Sequence, residues 1–237
     1  MIASDWFVLG APWDSSGTGR GEARAPDALR DAGLVDRIDA DLGDADTVIG
    51  SSHRDRTTGV RALPEIVSAV HALAGALRSG LATCPGRRPL VLGGDCSLLL
   101  GVFAHLRPSL GEVGLWCADG HPDYLDARAS ETGETADLQL AVLTGQGPAG
   151  LVGLGGVVPM VRARHVALIG HRTTDLDAAS AAELARLPAD LLTIGSPAVL
   201  ADPNRAGGRA AAWAERLSLP CGCTSMSTSS THPRCQR

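Results

Sequence analysis

The sequence predicts an α/β fold in which helices cover a mostly parallel β-sheet. Short apolar segments alternate along the chain with longer amphipathic patterns, which is typical of parallel strands joined by crossover helices. The 237 residues are enough to bury a large core, and no internal repeat or linker divides them. We therefore expect one α/β domain over residues 1–220, followed by a non-native or disordered tail over residues 221–237.

Five short apolar segments are predicted to be strands of this sheet. Their length and their apolar character are typical of strands that are buried on both faces. The predicted strands are Trp6–Leu9, Leu90–Leu92, Val113–Ala118, Val166–Ile169 and Leu191–Ile194.

Segments in which apolar residues recur three and four positions apart are predicted to be helices. The clearest of these begins at Val60 and ends at Leu81, between the first two strands. A later one has Thr174 as its predicted N-cap and Pro188 as its stop signal. The predicted helices are residues 60–81, Ser97–Leu106, Leu176–Leu187 and Gly208–Leu217.

Charge and hydropathy exclude several classes of function. The 26 acidic residues outnumber the 21 basic ones, and no basic stripe indicates a nucleic-acid partner. We find no run of about 18 apolar residues, so we expect no membrane-spanning helix. The N-terminus lacks a basic segment and carries Asp5 within its first apolar stretch, which argues against a signal peptide and favours the cytoplasm.

Two short polar motifs follow predicted strands and indicate a metal site. They are Gly93–Ser97 and Asp119–Asp123. Because an extended chain alternates its faces, we expect Asp119, His121 and Asp123 to point the same way. Unpaired buried carboxylates are costly, and a divalent cation is the simplest compensating charge.

Cys96 leaves a second interpretation open. It lies at a predicted strand-to-helix turn, where a helix N-terminus would favour a reactive thiolate. His121 would then serve as its base, as in a cysteine-nucleophile amidohydrolase. Loss of activity with a thiol alkylator would favour this alternative, and loss with a chelator would favour the metal site.

The last 17 residues differ in character from the rest of the chain, because seven of them are Ser or Thr and no apolar period survives. Back-translation of Pro220–Cys235 into GC-rich codons, read in another frame, gives Val-Trp-Val-His-Leu-Asp-Val-Asp-Val-Leu-Asp-Pro. That peptide is a good buried strand followed by an Asp-x-Asp-x-x-Asp-Pro motif. We therefore expect that a frameshift near residue 220 has truncated the chain.

Together these motifs resemble the ureohydrolase superfamily, which includes arginase, agmatinase and formimidoylglutamase. The segments Val8–Pro12 and Pro26–Arg30 are similar to the N-terminal region of that family. Gly93–Ser97 resembles its Gly-Gly-Asp-His-Ser motif, and Asp119–Asp123 resembles its Asp-Ala-His-x-Asp motif. The out-of-frame peptide resembles its third motif, Asp-x-Asp-x-x-Asp-Pro.

The resemblance implies a three-layer αβα arginase-like fold whose last strands are missing here, and a site for two Mn²⁺ ions. Members hydrolyse carbon–nitrogen bonds of small cationic guanidino or amidino substrates and commonly form homo-oligomers. By the resemblance, Asp119 bridges both metals, His121 binds one, and Asp123 binds the other and orients the catalytic hydroxide. Glu134 and Asp137 are candidates for recognising the cationic substrate.

The chain departs from the family pattern at two positions. Cys96 stands where the family has a metal-binding histidine, so either a thiolate ligand shifts the preference toward zinc or iron, or the residue is only a buried thiol. Ala136 stands where arginases and agmatinases carry a substrate-side histidine. With the third motif also absent, we expect impaired activity, and a degenerate non-catalytic member is the alternative.

Overall fold

The structure, a computed structural model, describes residues 5–36, 38 and 40–225. The chain forms two compact units. Unit 1 comprises Met1–Gly111 and Asp123–Met160, and unit 2 comprises Glu112–Pro122 and Val161–Arg237. Each unit contains a parallel sheet, which confirms the predicted α/β class.

The sheet of unit 1 consists of β1 (Trp6–Ala11), β2 (Asp41–Asp44) and β3 (Arg88–Gly93), three parallel strands in the order β2-β1-β3. Its central strand is buried from its second residue onward, as its apolar sequence predicts. The short edge strand β2 was not predicted, because its sequence Asp-Leu-Gly-Asp is exposed and has no apolar run. Arg30 fixes it through ion pairs to Asp41 (2.8 Å) and Asp44 (2.7 Å).

Helices α2 and α3 supply much of the buried apolar surface of unit 1. The apolar residues of α2 lie three and four positions apart, and its buried face includes Ile66, Val70 and Leu77. Gly101 of α3 allows close packing, because a Cβ atom there would lie 2.9 Å from the side chain of Leu73. The helices of unit 1 are α1 (Ala25–Asp31), α2 (Leu63–Thr83), α3 (Leu99–Leu110), α4 (Gln139–Leu143) and α5 (Ala149–Val152).

Helix α2 is also, within the described ranges, the one helix long and apolar enough to cross a membrane by length and composition. This is weak evidence for a membrane span, because an amphipathic core helix with one buried face meets the same criterion.

The sheet of unit 2 has four parallel strands, which are in chain order β4 (Gly114–Ala118), β5 (Val166–Ile169), β6 (Leu192–Ile194) and β7 (Cys221–Ser225). Within the sheet they lie in the order β6-β5-β4-β7. The first three correspond to predicted strands. The helices are α6 (Ala178–Leu184), α7 (Ser196–Ala201) and α8 (Pro203–Leu217).

The N-cap predicted for α6 is wrong. Asp177, rather than Thr174, caps the helix, and its carboxylate accepts a hydrogen bond of 2.7 Å from the amide of Ser180. An Asp side chain immediately before the first helical residue reaches the free amides of the first turn, whereas Thr174 lies too far upstream.

Strand β7 extends the fold five residues beyond the expected boundary at residue 220. It pairs with β4 in parallel, from Gly114 opposite Cys221 to Ala118 opposite Ser225. Small and polar residues form a strand at this place because β4 offers them its backbone hydrogen-bonding edge. The remainder of the predicted tail, residues 226–237, lies outside the described residues.

Candidate metal centre

The turn after β3 brings the first predicted motif to the carboxyl end of the unit 1 sheet. Gly94 is required there, because a Cβ atom would lie 1.7 Å from the carbonyl oxygen of Trp13. Asp95 then caps a short 3₁₀ helix, Cys96–Leu98, and accepts a hydrogen bond of 2.9 Å from the amide of Ser97. The glycine therefore allows the motif to pack against the loop that follows β1.

The Asp95 carboxylate is engaged by neutral donors. It accepts hydrogen bonds from the amide of Ser15 (2.6 Å) and from the hydroxyl of Ser97 (2.6 Å). Burial raises the pKa of Asp95 above its ordinary value of 3.8, and these hydrogen bonds oppose that rise. The Ser97 hydroxyl in turn accepts from the Trp13 indole (2.8 Å) and the Thr135 hydroxyl (3.0 Å). Asp95 therefore shapes the turn.

Cys96 and Asp123 are brought together within unit 1. Their possible ligand atoms, the thiol sulfur and a carboxylate oxygen, lie within 4.8 Å of each other. Each residue is buried, with a relative exposure of 8%. The Cys96 thiol donates to the carbonyl oxygen of Ala136 over 3.4 Å. A thiol and a carboxylate at this separation can share one metal ion, and the pair suits zinc or iron better than manganese.

The backbone of Asp123 is held in an unusual conformation by the start of α4. Its φ of 48° lies in the left-handed region, which few residues other than glycine adopt and which is enriched at functional sites. Its carbonyl oxygen accepts hydrogen bonds from the amides of Leu140 (3.1 Å) and Ala141 (3.4 Å). Its carboxylate accepts one from the side-chain amide of Gln139 (3.2 Å).

The two acidic residues predicted to recognise substrate already have partners within unit 1. Glu134 is buried, and the Arg20 guanidinium donates to its carboxylate at 2.7 Å. Burial raises the pKa of Glu134 above its ordinary 4.5, although Arg20 opposes the rise. Asp137 accepts from the hydroxyls of Ser130 (2.6 Å) and Thr132 (2.7 Å). The structure therefore places both carboxylates in internal networks.

In unit 2, Asp119 directly follows the last residue of β4. Its backbone amide donates to the carbonyl oxygen of Ile169 (3.0 Å), and its carboxylate accepts from the amide of His121 (3.0 Å). The side chain is buried, with a relative exposure of 6%. Burial raises the pKa of Asp119, and the backbone amides of His121 and Gly120 oppose the rise.

The His121 imidazole lies near Asp119, with 3.9 Å between its Nδ1 atom and a carboxylate oxygen. It also lines a pocket of unit 2 together with Arg172, Ser180 and Glu183. Unit 2 thus presents an imidazole and a carboxylate, both ligand types that bind divalent metals.

The prediction that Asp119, His121 and Asp123 lie on one face of an extended chain is wrong. The chain is extended only up to Ala118, where β4 ends, and Asp123 has a left-handed backbone. Alternation of faces along a strand therefore does not orient Asp119, His121 and Asp123. The metal-site prediction itself depends on the residue types and on the positions of these residues after strand ends.

Two residues with side-chain contacts in this region were missed by sequence reasoning. Gln139 interrupts an apolar run from Leu138 to Leu143, and a single polar residue in such a run is a usable signal of a buried polar contact. Arg20 lies in a glycine-rich loop, and nothing in the local sequence indicates that it pairs with Glu134.

Comparison with known proteins identifies relatives. The sequence model of the Arginase family matches residues 4–191. An arginase from Brevibacillus brevis is 34% identical over 174 residues, which cover 71% of this chain and 57% of that protein. An arginase from Bacillus caldovelox is also 34% identical, with 58% of its length covered. The chain therefore spans well under two thirds of the curated relatives it matches.

Solved structures agree with the sequence matches. The arginase from Bacillus caldovelox has a TM-score of 0.77 at 27% identity, over 92% of this chain and 74% of that one. An arginase from Entamoeba histolytica, solved with L-ornithine, has a TM-score of 0.73 at 17% identity, over 91% of this chain and 74% of that one. The second likeness shows the fold alone. Together they confirm the predicted arginase-like α/β fold.

Proposed function

This chain belongs to the arginase family, and we propose that it derives from a metal-dependent hydrolase of carbon–nitrogen bonds in a guanidino or amidino substrate. The observation that supports this most directly is the buried pair of Cys96 and Asp123, whose ligand atoms lie within 4.8 Å of each other. Open α/β sheets bind their ligands beyond the carboxyl ends of the strands, and Cys96 lies just after such an end.

We assign the metal ligands to Cys96, Asp119, His121 and Asp123. A bound divalent metal supplies an activated water at neutral pH and an electrophile for the substrate. Asp123 is proposed to orient that water, because its carboxylate is held by Gln139 on one oxygen. Asp119 is proposed to supply a negatively charged carboxylate to the metal, and His121 an imidazole.

The metal is proposed to be softer than the manganese typical of the family. Manganese prefers carboxylate and imidazole ligands, whereas a thiolate favours zinc or iron. Because Cys96 is buried beside Asp123, the donor set fits a site in which zinc or iron replaces at least one Mn²⁺.

The substrate is proposed to be a small guanidino or amidino cation other than arginine or agmatine. Ala136 offers no side-chain hydrogen bond in place of the family histidine. Glu134 is already neutralised by Arg20, so it adds little net attraction for a cationic group.

The proposed frameshift gains support from the pairing of β7. If one base is missing beside the Pro220 codon, the alternative frame places Val-Trp-Val-His-Leu at the five positions of β7. In the register that pairs Gly114 with Cys221 and Ala118 with Ser225, this peptide would pair with the whole of β4, and its aspartate would be the next residue in the chain. An aspartate directly after a parallel strand is at a position where open α/β sheets bind ligands. Resequencing the gene tests this point, and an intact frame through Cys221 would contradict it.

Three further expectations remain predictions: a cytoplasmic location, a homo-oligomer, and the absence of a nucleic-acid partner. Size-exclusion chromatography with light scattering measures the oligomer directly.

The proposed function is tested by titrating the full chain with Co²⁺ and Zn²⁺. We expect a thiolate-to-cobalt charge-transfer band that is lost in Cys96→Ser, which leaves the other cysteines in place. We also expect weaker binding in Asp123→Asn. With the frame restored, hydrolysis of guanidino compounds should be abolished by a chelator, whereas a cysteine nucleophile predicts loss with a thiol alkylator and indifference to the chelator. An unchanged cobalt band in Cys96→Ser would overturn the ligand assignment, and the opposite inhibitor pattern would favour a cysteine nucleophile.

A further inference from the structure

We propose that Gln139 is a positioning residue that fixes the Asp123 carboxylate for metal binding, an inference that rests on the proposed function. Gln139 is fully buried, with a relative exposure of 0%. Its Nε2 atom lies 3.2 Å from Oδ2 of Asp123. The orientation of the amide follows from chemistry, because an ionised carboxylate only accepts hydrogen bonds and so must face the NH₂ group.

The other end of the same amide is the buried Oε1 atom of Gln139. Among the residues that the structure describes, no donor reaches this atom. An unsatisfied buried oxygen destabilises the folded state. Leu138 and Leu140 flank this position, and an apolar side chain would suit the same environment better. The gain that offsets this cost is the hydrogen bond to Asp123.

The first turn of α4 controls Asp123 at two points. The amides of Leu140 and Ala141 bind its backbone oxygen and hold the left-handed conformation. These two bonds act on the backbone of Asp123 and place its Cα atom. The Gln139 amide adds a side-chain restraint on the carboxylate whose oxygen lies within 4.8 Å of the Cys96 sulfur. Hydrogen bonds that orient a ligand raise metal affinity, because less ordering remains to be done on binding.

The test compares Gln139→Met with wild type in the full chain, by Co²⁺ titration followed through the charge-transfer band of Cys96. Met keeps the unbranched shape and removes the amide. We expect Co²⁺ affinity to fall by about 10- to 100-fold. The melting temperature of the metal-free protein should stay the same or rise, because the unsatisfied oxygen is removed together with the bond.

Gln146→Met is the control for the substitution itself. Gln146 is exposed and lies just beyond α4, where its amide donates to the Tyr124 hydroxyl (3.1 Å), so we expect wild-type Co²⁺ affinity. Wild-type affinity in Gln139→Met would overturn the positioning role. So would a lowered melting temperature with unchanged affinity in the folded protein, since that indicates a structural role. Gln139→Leu decides the same question if the Met variant does not fold.

The outcomes also separate this inference from the function it rests on. If wild type binds Co²⁺ through Cys96 but Gln139→Met binds equally well, only the positioning role fails. If wild type shows no cobalt band that depends on Cys96, the metal-site proposal fails and the role of Gln139 fails with it.

Discussion

The turn after β3 and the turn after β4 both carry a buried aspartate, but their surroundings differ. Asp95, after β3, accepts hydrogen bonds from the Ser15 amide and from both the amide and the hydroxyl of Ser97. Asp119, after β4, accepts a hydrogen bond from the backbone amide of His121, and the backbone amides of His121 and Gly120 oppose the rise in its pKa. Burial raises the pKa of both carboxyl groups.

The difference indicates two roles for the same residue type at equivalent strand ends. A carboxylate enclosed by several neutral donors is satisfied by the protein itself and stabilises a local structure. A buried carboxylate with fewer donors retains acceptor capacity, and a cation completes it. We therefore interpret Asp95 as structural and Asp119 as a ligand. The predictions below test this distinction, beginning with the largest expected effect.

Removal of the Asp95 carboxylate should cost the most stability. In Asp95→Ala, the amides of Ser15 and Ser97 lose their buried acceptor, and we expect a loss of about 3 kcal/mol in the free energy of unfolding. Urea denaturation of the metal-free protein measures it. The exposed Asp46→Ala serves as the control and should change stability by less than about 0.5 kcal/mol. Equal effects at the two positions would contradict a structural role for Asp95.

Replacement of Asp119 should affect metal binding more than folding. Asp119→Asn keeps the shape and the acceptor for the His121 amide but removes the charge, so Co²⁺ affinity should fall at least about 10-fold. The free energy of unfolding without metal should stay within about 1 kcal/mol of wild type, because a neutral amide is cheaper to bury than a carboxylate. Isothermal titration calorimetry and urea denaturation give the two values. A large loss of stability with unchanged Co²⁺ affinity would show that Asp119, like Asp95, has a structural role.

Glu134 provides a third case, in which a buried carboxylate has a cationic partner. Its pKa is raised above 4.5 by burial even though Arg20 opposes the rise. The folded state therefore binds the proton more tightly than the unfolded state does, so this group stabilises the fold most at low pH and loses that contribution as pH rises through the raised pKa. Relative to Glu134→Gln, wild type should gain stability as the pH falls from neutral toward the ordinary Glu value.

Urea denaturation at several pH values in this range measures the difference between wild type and Glu134→Gln. The opposite slope, with wild type losing relative stability as pH falls, would show that the ion pair with Arg20 outweighs the cost of burial. The pKa of Glu134 would then be lowered in the folded state, whereas burial raises the pKa of Asp95 and Asp119.

The elements that could be predicted from the sequence are those with a local signal in the residue types. Strands such as β1 and β4 were predictable because buried strands need apolar runs. Strand β2 was not, because an exposed edge strand held by Arg30 needs none. The ligand candidates could be named because residue types at strand ends carry chemical information. Their orientation could not, because the left-handed backbone of Asp123 depends on amides of α4 that lie distant in sequence.

The same limit applies to partners. Asp95 appeared as part of a motif, but the sequence does not indicate that Ser15 reaches it from the loop after β1. Gln139 and Asp123 are 16 positions apart, and their contact follows from how α4 packs. Such contacts are properties of the tertiary fold, which overrides local propensity.

The smallest expected effect concerns Asp177, which makes the same kind of capping hydrogen bond as Asp95 but is not buried. Asp177 caps α6 as Asp95 caps the 3₁₀ helix after β3, with a bond of 2.7 Å to the amide of Ser180, but Asp177 is exposed. Water can replace the lost acceptor there, so Asp177→Ala should cost only about 1 kcal/mol in the free energy of unfolding. Thr174→Ala, at the originally predicted cap, should cost less than about 0.5 kcal/mol. A loss for Asp177→Ala as large as that for Asp95→Ala would show that the capping bond, and not the burial of Asp95, accounts for the difference between the two regions.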